Sequence, residues 1–94
     1  MLTVDNPFSL DTACELPLAD WPDIDRVLTL AREGARLAEA KPLAERKALA
    51  ERATAAMEQR AERITTDISR MMGKPISEAR GELRTMATRA RTMI

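Results

Sequence analysis

Cys14 is the strongest nucleophile the chain offers, and a thiol attacks only when a base or a positive field holds it as thiolate. Its neighbours Asp11 and Glu15 are acids, and the 94 residues contain no His to act as base. Cys14 therefore reads as a small apolar filler in a strand. One cysteine cannot form an internal disulfide, and without His there is no ordinary zinc set. The acid pairs come next: Asp23 with Asp25, Glu58 with Glu62, and Glu78 with Glu82. Members of the last two pairs are four residues apart, so on a helix each pair shares a face and could hold a cation. Arg60, Arg63, Arg80 and Arg84 interleave with them, which favours a solvated surface of mixed charge. Arg80, Arg84 and Arg91 fall along one edge of the last predicted helix, a solvated or interface-lining edge. Nucleic-acid binding would need more positive charge and aromatic stacking residues. Gly34, Gly73 and Gly81 are isolated, so they build no phosphate-cradling loop. The six Met residues read as core filler. The expectation is that the chain holds no catalytic, cofactor-binding or metal-binding residue.

The elements that would have positioned such groups are mostly helices. Leu2-Thr3-Val4 and Ala13-Cys14-Glu15-Leu16 could be two short strands, with Asn6-Pro7 and Ser9-Leu10-Asp11 supplying turn chemistry. Asp20 can cap a first helix by accepting from the N–H of Asp23, itself placed as the acid of a capping box. Pro22 is tolerated in a first turn. Ile24, Val27, Leu28, Ala31, Ala35 and Ala38 then form one stripe. A second helix starts at Pro42, with Leu43, Leu49, Ala50, Ala53 and Met57 on one face. Ala61, Ile64, Ile68, Met71 and Met72 make a third stripe, and the polar Glu58-Gln59-Arg60 marks the break before it. Gly73-Lys74-Pro75 is a stop: Gly supplies the left-handed closing residue and Pro cannot continue the helix. Ala79, Leu83, Met86, Ala87, Ala90, Met93 and Ile94 line a last helix. The expected organisation is an extended or hairpin opening over 1–20 and a helical segment over 21–94, with helices near 21–39, 42–58, 61–72 and 77–94.

Sixteen residues are Ala, and only Phe8 and Trp21 are aromatic. Ala loses almost no side-chain entropy in a helix, yet it fills little volume and buries little area. The chain should therefore be strongly helical with a thin core, and should seek more apolar surface to pack against. The stripe reaching Ile94 looks the least protected and is the expected site of self-association. The sequence ends as if cut in mid-structure. Fifteen bases balance fifteen acids, so no global charge points to nucleic acid or anionic lipid, although residues 1–25 hold six acids and no base. No signal peptide or run of 18 apolar residues is present, and a lone Cys fits a reducing, cytoplasmic setting.

Met72-Gly73-Lys74-Pro75-Ile76-Ser77-Glu78-Ala79-Arg80-Gly81-Glu82-Leu83 resembles the helix–Gly-Lys-Pro–helix stretch near the start of NAD(P)-dependent aldehyde dehydrogenases. The preceding order agrees. Asn6-Pro7 and Glu15-Leu16-Pro17-Leu18-Ala19 resemble the family's opening, Ile24-Asp25-Arg26-Val27 its first helix, and Pro42-Leu43-Ala44-Glu45-Arg46 the start of its second. Glu58-Gln59-Arg60-Ala61-Glu62 resembles the link to the third. Within the family the chain looks most like the branch that oxidises succinate semialdehyde and related aliphatic aldehydes. Relatives carry aromatics where this chain has Leu37-Ala38-Glu39-Ala40-Lys41 and Arg89-Ala90-Arg91-Thr92-Met93, which would weaken docking.

The resemblance implies an N-terminal structural segment of a larger α/β enzyme that oxidises an aldehyde with NAD or NADP. The family's nucleophilic Cys, general-base Glu and dinucleotide-binding residues lie downstream of such a segment, and Cys14 matches none of them. Some relatives hold a structural monovalent cation to which Val4 or Asp5 with Glu82 would loosely correspond. The implied partner is the remainder of the enzyme. The rival reading is an independent small helical bundle acting as a protein-interaction or self-association module, with no nucleic acid or membrane partner in either case.

Overall fold

The structure, a computed structural model, describes residues 1–94. It is mainly α with a short N-terminal hairpin: β1 (Leu2–Asp5), β2 (Thr12–Leu16), α1 (Trp21–Glu39), α2 (Leu43–Gln59), α3 (Ala61–Met72) and α4 (Ile76–Met93). The strands pair antiparallel, Leu2 opposite Leu16 and Val4 opposite Cys14, with a register shift between Val4 and Asp5 that leaves Ala13 bulged. Asn6 closes the loop as an Asx turn, its Oδ1 accepting from the N–H of Phe8 at 2.9 Å. The left-handed residue of that loop is Leu10, at φ 65°, and neither Asn6 nor a glycine takes the position.

Local chemistry accounts for the helix ends. Asp20 caps α1, accepting from the N–H of Asp23 at 2.9 Å. The reciprocal half of the capping box is not made, because the Asp23 carboxylate instead faces Arg26 at 3.6 Å. Pro42 and Pro75 stand one residue before α2 and α4 as cap residues, outside the first turn. A single residue, Arg60, separates α2 from α3.

Gly73 closes α3 at φ 70°, its N–H donating to the Ser69 carbonyl, and the Ser69 hydroxyl donates to the Lys74 carbonyl at 2.7 Å. The hairpin leans on this turn. A Cβ at Gly73 would meet Pro7 Cβ at 3.2 Å and Cγ at 3.3 Å. Gly73→Ala therefore combines left-handed strain with a tight contact to the hairpin. It is expected to destabilise the fold by about 1–2 kcal/mol, read as a shift in the urea midpoint.

The core is thin. Ala79, Leu83 and Ala87 of α4 are buried against Thr54 of α2 and Thr65 of α3. Small residues at this crossing let the helices approach closely, so α4, whose stripe looked the most exposed from sequence, is the best covered element. Met86, Ala90 and Ile94 are half-buried, and only Met93 at its end stays out. The face of α2 is also corrected. Ala50, Thr54, Ala55 and Ala56 are its covered residues, while Leu43, Leu49 and Met57 remain exposed because nothing in the chain lies over them.

The uncovered element is α1, which has no buried residue and no substantial packing partner. The result is an open molecule. Its radius of gyration is 17.0 Å, against about 12 Å for a compact domain of this length. Its 7574 Å² of accessible surface compares with roughly 5,400 Å² for a compact 10.5 kDa protein.

Candidate functional site

The chain's most organised chemistry is a row of ion pairs that straps α4 to α2 and α3. The Arg80 guanidinium donates through Nε and Nη2 to the two carboxylate oxygens of Glu62, at 3.3 and 3.2 Å. Arg91 donates to Glu58 and, at 3.4 Å, to Glu51. Lys74 donates to Glu82 across the turn that opens α4. Arg80 and Arg91 thus line a helix–helix seam, which selects one of the two readings their edge allowed.

These contacts set the acidity of the carboxyls. The hydrogen bond from Arg91 holds the Glu58 carboxyl below its ordinary value, and that from Arg80 does the same for Glu62. Lys74 is raised by its bond to Glu82. A carboxyl with a lowered pKa stabilises the fold above its unfolded value, and the gain is lost as pH falls through the lowered folded value. It is also a weaker base than a free one. General acid–base catalysis near neutral pH calls for the opposite shift.

Most members of the acid pairs are therefore spoken for. Glu58 and Glu62 each face an arginine of α4, and Glu82 faces Lys74, leaving Glu78 beside it to add to the field on that lysine. No group of three or more His, Cys, Asp or Glu is placed to hold a metal ion. A groove of about 250 Å³ runs between α3 and α4 with Thr65 and Leu83 in its wall, and its rim is the same Glu62–Arg80 pair with Arg84 beside it. Cys14 is half-buried in mid-strand, opposite Val4.

Gly34 and Gly81 lie inside helices, and Gly73 is pressed against Pro7. Each helix also carries an acid in its first turn, Asp23, Glu45, Glu62 or Glu78, where a phosphate would need the free positive end of the helix. No helix is long and apolar enough to cross a membrane.

Comparison with known families decides what this arrangement belongs to. The family model described as the aldehyde dehydrogenase family matches residues 1–94. The chain belongs to the aldehyde dehydrogenase family. No individual curated protein and no solved structure matches it. Aldehyde dehydrogenases generally use NAD or NADP; what this stretch itself presents is a capped first helix, the turn at Gly73 and the seam that straps α4 to α2 and α3. The carboxylates and arginines are visible in the sequence, but their pairing is not. The residues that meet, Glu51 and Glu58 with Arg91, are more than thirty positions apart, and no local spacing reports which helix stands opposite.

Proposed function

We propose that this chain is an N-terminal structural segment of an aldehyde dehydrogenase, helping to frame the cofactor domain without itself doing chemistry. The observation that carries the proposal is the family match over all 94 residues of a chain whose Glu58 and Glu62 are paired with arginine and whose glycines are isolated. The open shape supports it, since large apolar side chains such as Leu43, Leu49, Val27 and Leu28 stand ready for a further surface. The parent would oxidise an aldehyde to an acid with NAD or NADP, its catalytic residues lying downstream. Gly73-Lys74-Pro75 followed by Glu78-Ala79-Arg80-Gly81-Glu82 favours the branch acting on succinate semialdehyde and related aliphatic aldehydes. An unpaired Cys14 fits a cytoplasmic setting.

The test is the nucleotide sequence beyond the codon for Ile94. An open frame encoding a dinucleotide-binding strand and a downstream catalytic Cys is the expected result. A stop codon there, in the intact gene, would favour the second reading, a self-association module. The observation in favour of that reading is the uncovered face of α1.

A further inference from the structure

Thr65 of α3 is only 1% exposed. Thr54, Thr66 and Thr92 each donate their hydroxyl to the carbonyl four residues back, at 3.0, 2.8 and 2.9 Å. Thr65 does not, and its hydroxyl meets no other partner in the chain. No sealed side-chain oxygen is left without a partner, so the small part of Thr65 that stays open is its hydroxyl. It opens on the groove of about 250 Å³ between α3 and α4. Buried polar groups as a rule find a hydrogen bond, and this one faces outward for it.

The other groups around the groove divide by chemistry. Ala61 and the buried Leu83 give it an apolar wall. Glu62 and Arg80 at the rim are paired with each other, and Glu58 is paired with Arg91, so neither acid presents an uncompensated charge. Arg84, about one helical turn beyond Arg80, is exposed and takes part in no ion pair. The groove therefore offers one free guanidinium, one free hydroxyl and an apolar wall. A guanidinium grips a carboxylate through two parallel N–H donors, and a hydroxyl can donate to the same group. The space is below that of a pocket for a drug-sized ligand and equals the liquid volume of about eight waters, so the occupant must be small.

We propose that this groove binds a short aliphatic carboxylate, its charged end held by Arg84 and Thr65 and its chain laid over Ala61 and Leu83. The proposal needs only α3 and α4 and is independent of the dehydrogenase reading. A ligand of so few atoms in an open groove binds weakly, with Kd on the order of 1–10 mM.

Titration of sodium pentanoate into the 94-residue chain is the test, followed by amide NMR shifts at an ionic strength held constant with sodium chloride. Saturating shifts centred on Ala61, Thr65 and Arg84 are expected. 1-Pentanol keeps the chain and loses the charge, whereas acetate keeps the charge and loses the chain. Each should bind about tenfold more weakly than pentanoate. Arg84→Gln should weaken pentanoate about tenfold with unchanged circular dichroism, since the side chain is exposed and unpaired. Thr65→Val, which keeps the shape and removes the hydroxyl, should weaken it about threefold to fivefold. The absence of saturation up to roughly 50 mM, as for a groove that takes up only water, would overturn the proposal. So would an affinity indifferent to Arg84→Gln, or acetate binding as well as pentanoate, which would mark general anion binding at a surface arginine.

Discussion

Leu83→Ala is expected to cost about 2–5 kcal/mol and to abolish a cooperative urea transition in the isolated chain. The range is that for deleting a buried leucine side chain, and here nothing compensates for it. Leu83 is the only large apolar side chain in the core; the other buried residues are Ala79 and Ala87 on its own helix, Thr54 of α2 and Thr65 of α3. None of those four can move in to fill the space. A domain of this length has about 5–14 kcal/mol to lose, and the exposed surface puts this one at the low end. The Arg80–Glu62 and Arg91–Glu58 pairs cannot hold α4 alone, because exposed ion pairs contribute little and are screened by salt. Helical signal should survive in part, since the Ala-rich helices keep their intrinsic preference. A sharp transition with an unchanged midpoint would show that the helices are held by something other than this crossing.

The parts of the fold that were legible in the sequence are those set within a few residues. Asp20 and the N–H it caps are three apart, and Gly73-Lys74-Pro75 forces a left-handed stop whatever surrounds it. Polar Glu58-Gln59-Arg60 shows a break for the same reason. Whatever depends on which element stands opposite could not be read in this way. The leucines of α2 look like a core face until Thr54 and the alanines beside it turn out to meet the small residues of α4. The α4 stripe looked bare because its cover comes from α2 and α3, which periodicity cannot place. Leu10 adopts positive φ because the loop closed by Asn6 needs it there, against its own preference. As for the site, residue types alone give the expectation that Cys14 has no base, there being no His in the chain. The pairing of Glu58 with Arg91 and of Glu62 with Arg80 is visible only once the seam is.

The second large effect is an absence of chemistry. Dehydrogenation requires a thiolate beside the nicotinamide, a base to activate water and a surface for the dinucleotide phosphates. Here the one thiol sits in a hairpin strand opposite Val4, the seam carboxylates are paired with arginine, and acids occupy the first turn of every helix. Cys14→Ala should accordingly leave the fold intact, because a half-buried small side chain next to a bulge gives up little packing. The most direct measurement is calorimetric titration of NAD and of NADP into the purified 94-residue chain, followed by an assay for reduced cofactor with aliphatic aldehydes. The structural-segment account predicts no saturable heat and no turnover. Saturable binding of either dinucleotide, or turnover that Cys14→Ala abolishes, would contradict it.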